Sequence, residues 1–405
     1  MQKILIVGAG AVASVISSEL AKERNISRII CATNDVKRAR HFIPKRKKIK
    51  IVKLDASSID QIVNVAKGSN LIINASIPYF NRNIMEAALK TGANYQDLCS
   101  YQYDYKTSEQ LKFHNRFKKA KLVGLINTGI APGVTNLLAA EMAGKLDSVS
   151  DIKMRFLEEQ KSSEFLFSWS PEVTLDVLSA PPAVYKNKRI QFVKKFGDVE
   201  EYEFPEPYGK RYIFNASGDE PLTIPLYIRV KNLSIKSGGT DNEFARMLYR
   251  MGLFSRKSIK IKNNLMRKSG LKAKNEIVVP LEFFSTIAPE IPTPKEITKM
   301  IKDGILENAA FISVVEGIGI ESGKNIKIKM TAIYPDLKQI FKKMKGATYI
   351  SYPTGLAAAA FAKTIPKIKE NGVFPPEALN SDLRNEILLN LENNGTIIDE
   401  QFSKA

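Results

Sequence analysis

A chain of 405 residues, 44% hydrophobic and 25% charged, is long enough for two or three domains and has the balance of an ordinary globular protein. No apolar run reaches the ~20 residues that a membrane span requires, and the N-terminus enters a strand without the cationic-then-apolar order of a secretory signal. Two cysteines, Cys31 and Cys99, supply no disulfide framework, so a cytoplasmic location is expected. Much of the net charge of +19 comes from Lys37–Lys53 and Arg256–Lys274. Neither cluster is interleaved with aromatics in a recognition pattern, so solvated basic surface is expected rather than a nucleic-acid partner.

The first 126 residues alternate apolar runs (Lys3–Val7, Arg28–Ala32, Lys50–Leu54, Leu71–Asn74, Lys121–Ile126) with helical patterns (Val12–Lys22, Ile59–Ala66, Ile84–Lys90, Ser108–Ala120). Strands and helices alternating at this spacing predict right-handed crossovers and a parallel sheet, with ligands at the carboxyl ends of the strands. The first run ends in Gly8-Ala9-Gly10-Ala11-Val12-Ala13. Gly8 permits a tight turn, Gly10 leaves room for phosphates, and Ala13 allows close helix–strand packing. A dinucleotide pyrophosphate is therefore expected on Gly8, Gly10, Ala11 and Val12, at the positive end of the following helix. Ser57 or Ser58 is the expected cap of the third helix. The other strand ends offer Thr33, Asn34, Asp55, Ala56, Asn74, Ala75 and Ser76 to the cofactor.

The end of the second strand bears on which cofactor binds. An NAD site usually has an acid there for the ribose hydroxyls. This chain has Ala32-Thr33-Asn34, followed by Asp35, Lys37, Arg38 and Arg40. A hydroxyl and an amide with cations a turn later suit a 2′-phosphate, with Arg38 its partner, so NADP is favoured. NAD stays open if the strand runs two residues further and Asp35 is the ribose acceptor.

From Asn127 the pattern changes. Gly129-Ile130-Ala131-Pro132-Gly133 turns into a helix at Val134–Lys145. Strands are then expected at Ile152–Leu157, Arg189–Phe192, Tyr212–Asn215, Tyr227–Val230 and Ser234–Lys236, and helices at Glu243–Met251 and Lys295–Lys302. Ala309–Glu316 and Asn325–Ile333 read as a hairpin. Thr354–Ala362, rich in small residues, reads as a closely packed helix, and the tail beyond Asn380 as surface helix. The fold class is thus α/β, an N-terminal Rossmann domain (1–127) with a second α+β domain (128–345) of mostly antiparallel sheet. A C-terminal segment (346–405) returns to the first domain.

Several motifs in order resemble the saccharopine dehydrogenase family: the glycine turn, Ile77-Pro78-Tyr79, Leu98-Cys99-Ser100-Tyr101, Gly129-x-x-Pro132-Gly133, Phe167-Ser168-Trp169-Ser170-Pro171, Gly239-Thr240 and Gly372-Val373…Pro376-Glu377. The resemblance implies hydride transfer between a nicotinamide and a carbon–nitrogen bond of an amino-acid-derived substrate. It implies substrate contacts at Tyr79, Ser100, Tyr101, Gly129, Trp169 and Thr240. The chain departs from saccharopine-specific members at Ala131, at Glu158–Ser163 and at Gly238, where those members have an arginine suited to clamping a carboxylate. Its Ala-Pro-Gly turn and its Gly-Val…Pro-Pro-Glu ending resemble lysine 6-dehydrogenases of the same family. A non-catalytic dinucleotide-binding protein is the reading from a different class.

Hydride transfer needs the reacting carbon held over the nicotinamide and a group to handle the amine proton. Near the expected nicotinamide end stand Asp97, Ser100, Tyr101, Tyr103 and Tyr105. Tyr101 and Asp97 are the expected catalytic pair, Asp97 serving if burial raises its pKa and otherwise acting as a cap. His41 and His114 read as structural, and no Cys/His pattern calls for a metal. Lys210, Arg211 and Lys236 are candidate partners for a substrate carboxylate. The expected partners are a small amino-acid-like substrate and a second copy of the chain, without nucleic acid or membrane.

Overall fold

The computed structural model describes residues 1–101, 106–167, 169–260 and 277–405, so Ser168, Tyr103, Tyr105 and part of the second basic cluster lie outside the described residues. Its first 125 residues run β1 (Gln2–Val7), α1 (Ala11–Leu20), β2 (Ile26–Thr33), α2 (Val36–Phe42), β3 (Ile49–Lys53), α3 (Ile59–Ala66), β4 (Leu71–Asn74), α4 (Asn81–Thr91), β5 (Asn94–Asp97), α5 (His114–Lys119) and β6 (Val123–Leu125). These strands pair in parallel in the order β6-β5-β4-β1-β2-β3. The connections diverge from β1, with β2 on one side and β4 on the other, and that switch point opens a crevice. Ser58 is the cap of α3, its hydroxyl accepting from the Gln61 N–H at 3.3 Å.

The chain continues through α6 (Val134–Ala143), β7 (Ser148–Ser162), α7 (Pro171–Ser179), β8 (Ala183–Lys186), β9 (Arg189–Phe192), β10 (Glu200–Phe204), β11 (Gly209–Asn215), α8 (Glu220–Tyr227), β12 (Asn232–Gly238) and α9 (Thr240–Arg250). A small ribbon of β13 (Ile259–Lys260) and β14 (Ile277–Val278) leads to α10 (Pro280–Ile287) and α11 (Pro294–Lys302). Then come β15 (Leu306–Glu321), β16 (Lys324–Ile333), α12 (Leu337–Lys343), α13 (Ser351–Thr364), β17 (Gly372–Phe374), α14 (Ser381–Asn393) and β18 (Ile397–Lys404).

A large mixed sheet runs β10-β11-β12-β7-β15-β16-β18, with β8 on β12 and β9 on β8. It is antiparallel except where β12 lies beside β7. Ser322 and Gly323 close the β15–β16 hairpin with φ of 49° and 75°, the left-handed pair whose twist matches the strands.

Two expectations are corrected. Tyr227–Val230 is not a strand, because Tyr227 ends α8, a helix that carries Pro221 in its first turn and Pro225 inside. The tail beyond Asn380 is helical only in α14, and Ile397–Lys404 pairs with β16 as an edge strand. The small-residue helix packs as expected. Gly355 of α13 lies so close to α1 that a Cβ there would stand 2.4 Å from Val15 Cβ. β17 adds to β6 and brings the first sheet to seven strands. One apolar cluster runs from Ile4 and Ile16 through Leu356 and Leu137 to Met154 and Val315, so α1, α13, α6 and the large sheet share a core. Among the described residues no helix is long and apolar enough to cross a membrane.

Candidate active site

A cavity of about 600 Å³ begins at the glycine turn after β1 and extends into the second sheet. The turn is fixed from both sides: the Gly8 N–H donates to Ala32 O and the Ala75 N–H to Val7 O, both at 2.8 Å. Gly8 has φ of +107°, and a Cβ there would meet Ala75 O at 2.4 Å, so only glycine closes this approach. Gly10 is the N-cap of α1, where no side chain caps the helix and its first turn holds no acid. The first-turn amides are thus left for an anion. Gly8, Gly10, Ala11, Val12, Asn34, Ala75 and Ser76 all line the cavity and fit a dinucleotide.

The remaining expected cofactor residues hold the frame rather than the cavity wall. Thr33 Oγ1 accepts from the Asp35 N–H at 3.3 Å, and Asp35 caps α2 by accepting from the Arg38 N–H at 2.9 Å. Asp35 Oδ1 is thus the cap of α2. The Arg38 guanidinium pairs with Glu290 and donates to Ile291 O at 2.8 Å. Asp55 accepts from the Ser57 N–H and hydroxyl, and Ala56 O accepts from Asn83. Asn74 is buried and receives the Ser76 N–H at 2.9 Å, shaping the Ala75-Ser76 turn.

Beside the cavity lies a buried polar network. Asp97, 1% exposed, accepts at Oδ1 from the Asn127 N–H (2.8 Å) and at Oδ2 from Tyr95 (2.9 Å) and Gln110 (3.0 Å). Burial pushes its carboxyl up to about 7, against the pull of those hydrogen bonds. Glu109, raised to about 8 chiefly by burial, accepts from the Tyr101 N–H and from Asn81, both at 2.9 Å. Neither Asp97 nor Tyr101 lines the cavity. Asp97 steadies the turn at Asn127, and Tyr101 packs edge-on against the exposed Tyr79 ring, 5.4 Å between centroids. The residue that reaches the cavity is Ser100. Its hydroxyl bonds Ser108 at 2.6 Å, and its N–H donates to Asp219 Oδ2 at 2.9 Å.

The second domain contributes what the sequence reading missed. Glu158 (β7), Asp219 and Glu220 (start of α8) and Asp241 (start of α9) all line the cavity. Glu220 is 0% exposed. Its Oε1 accepts from Thr135 at 2.8 Å, while its buried Oε2 has no hydrogen-bond partner. Gly218 makes room for that oxygen, since a Cβ there would lie 2.5 Å from it. Burial raises Glu220 to about 7 and Asp241 to about 8, and it also raises Glu158. Asp241 is held by Tyr349 and by Gln160, and Glu158 by Asn242 at 3.3 Å. For Asp219 and Glu220 the signal in sequence is the acidic first turn Asp219-Glu220-Pro221, which reads equally as an ordinary helix start, while Glu158 opens the departing stretch 158–163 and Asp241 follows the Gly239-Thr240 motif.

Trp169 and Gly129 line the cavity. Thr240 is a clamp between α9 and β7 instead, its hydroxyl accepting from the Gln160 N–H at 2.7 Å. Lys210 pairs with Glu201, Arg211 with Glu159 and Lys236 with Glu200. All three candidate carboxylate partners are thus engaged inside the second domain.

A Rossmann sheet with an open phosphate turn, joined to a substrate domain over a shared cavity, defines a dinucleotide-dependent oxidoreductase of two-domain build. The family description "Saccharopine dehydrogenase NADP binding domain" matches residues 4–125, and "Saccharopine dehydrogenase C-terminal domain" matches 129–397. The chain belongs to the saccharopine dehydrogenase family. It is 22% identical to a carboxyaminopropylagmatine dehydrogenase of Synechocystis, over 94% of each chain. It is 23% identical to a carboxynorspermidine synthase of Vibrio cholerae, over 94% of this chain and 92% of that one. In fold it is similar to the L-Glu-forming saccharopine dehydrogenase of Saccharomyces cerevisiae (TM-score 0.70, 15% identity, all of both chains). It is also similar to a homospermidine synthase of Legionella pneumophila solved with NAD (TM-score 0.68, 12% identity, 99% of this chain and 91% of that one).

Proposed function

We propose that this chain is a nicotinamide-dependent dehydrogenase acting on a secondary amine that joins a polyamine-type amine to a carboxylate-bearing carbon chain. The observation that carries the reading is the sign of the cavity. A chain of net charge +19 lines the substrate end with Glu158, Asp219, Glu220 and Asp241. Carboxylates raised by desolvation, as Glu158, Glu220 and Asp241 are, favour a ligand that brings ammonium groups. The relatives named for carboxylated polyamines support the same class, and the glycine at 238 argues against saccharopine. A Cβ at 238 would stand 2.4 Å from Tyr212 O, so no arginine fits there.

The cofactor, when bound, accepts or supplies the hydride. Main-chain amides at Gly10, Ala11 and Val12 hold its phosphates, and Ala75, Ser76 and Ser100 face its nicotinamide end. NADP(H) is the proposed form, because Asn34, an amide and not an acid, stands in the cavity wall at the end of the second strand. Glu220 Oε2, closed off behind Gly218 in this structure, meets the reacting amine and takes its proton only once that turn gives way to the substrate. Asp97 and Glu109 are positioning residues that keep the 98–101 segment in place, while Trp169 and Phe165 exclude water.

Purified protein given NADPH and an amino-acid semialdehyde should oxidise the cofactor when a diamine or triamine is present, and more slowly with NADH. Turnover with lysine and a 2-oxo acid, but none with polyamines, would overturn the reading. Glu220→Gln should raise the KM for the amine about tenfold or more and leave the NADPH Kd unchanged.

A further inference from the structure

Six acids line the cavity (Glu158, Glu172, Asp176, Asp219, Glu220 and Asp241), and among the described residues a single basic side chain does, Lys195. It sits on the connection between β9 and β10, 7% exposed, with its Nζ donating to Val177 O in α7 at 2.6 Å. Its neighbour Phe196 packs edge-on against Phe214 and beside Tyr249, and Leu178, Phe254 and Ala245 continue the apolar lining. Lys195 therefore stands in a lobe of the cavity formed by α7, α9 and the end of β11 that is apolar apart from Glu172 and Asp176 of α7. Asp176, the carboxylate that bears on it, is already bonded to Arg256 at 2.8 Å. An ammonium so placed, with one carbonyl partner and no carboxylate of its own, is an incomplete site. An anion arriving with a ligand would complete it.

We infer that Lys195 is the carboxylate-recognition residue of the substrate site, and that the apolar lobe holds the methylene chain between that carboxylate and the amines bound by the acids. The inference rests on the proposed amine substrate and goes further. It predicts an amphoteric ligand, with ammonium groups read by Glu158, Asp219, Glu220 and Asp241 and one carboxylate read by Lys195. It explains how a chain lacking an arginine at 238 can still select a carboxylated substrate. Burial pushes the Lys195 amine down to about 7, and a bound carboxylate would restore its charge.

The test is calorimetric binding, in the presence of NADP, of N-carboxypropyl putrescine, its methyl ester and putrescine to the full chain. Wild type should bind the acid about tenfold or more tightly than the ester. Lys195→Met should bring the acid down to the ester's affinity, with putrescine affinity unchanged, and Lys195→Arg should keep the preference. Equal affinity of wild type for acid and ester overturns the assignment of Lys195 even if the variants fail to fold. So does a Lys195→Met protein that keeps the preference. Binding of none of the three probes overturns the amine reading itself, and this inference with it.

Discussion

At Gly8 the main chain must turn with φ of +107° while passing within van der Waals contact of Ala75 O. Gly8→Ala should weaken NADPH binding at least about tenfold, read by fluorescence titration, because both the strain and the clash fall on the phosphate turn. Unaltered affinity would mean that the phosphates do not lie on this turn. This residue was legible because the motif states its own geometry. Glu158, Asp219, Glu220 and Asp241 were not, because only the folding of β7, α8 and α9 around one cavity makes them neighbours. Arg38 stands after the second strand, where a phosphate partner is expected, and its ion pair with Glu290, far along the chain, could not be read from spacing.

Helices α1 and α13 meet where Gly355 faces Val15 and the main chain of Val12. Gly355→Leu forces side-chain atoms into that contact and should cost about 1–3 kcal/mol in denaturant unfolding. An unchanged midpoint would show that the helices can move apart freely. Parallel strands in a covered sheet read as apolar runs, which is why β1, β2, β3, β4 and β6 stood out in sequence, whereas β5, Asn94-Tyr95-Gln96-Asp97, carries no such run. Elements with mixed signals did not. α8 carries Pro221 and Pro225, and its Tyr227 with the following Ile228 and Val230 imitates a strand. β18, Ile397–Lys404, is half-exposed and polar, so only its ladder with β16 identifies it.

For the whole molecule, buried acids set the pH response. Asp97, Glu220 and Glu377 are raised to about 7, and Glu109 and Asp241 to about 8, chiefly by burial. Unfolded, these groups ionise near pH ~4, so between there and pH 8 the native state binds more protons. Stability is full at the acid side of that window and is lost as pH rises through the folded values. The melting temperature should therefore fall from pH 5.5 to pH 8 by scanning calorimetry, and a steady rise across that interval would contradict the burial of these carboxyls as neutral groups. Lys195 acts in the opposite sense above pH 7, where its lowered value makes the unfolded chain the stronger proton binder.

The paths of β17 and β18 bear on how the chain is made. β17 completes the first sheet beside β6, and β18 covers the edge of the second beside β16. Until residues 372–404 have left the ribosome, each sheet presents an open edge. A nascent chain therefore carries two adhesive ladders at once, each able to pair with a neighbouring polypeptide. Both ladders are taken up by one short stretch of sequence, so the two sheets are completed in a single late event and β17 and β18 become their new edges.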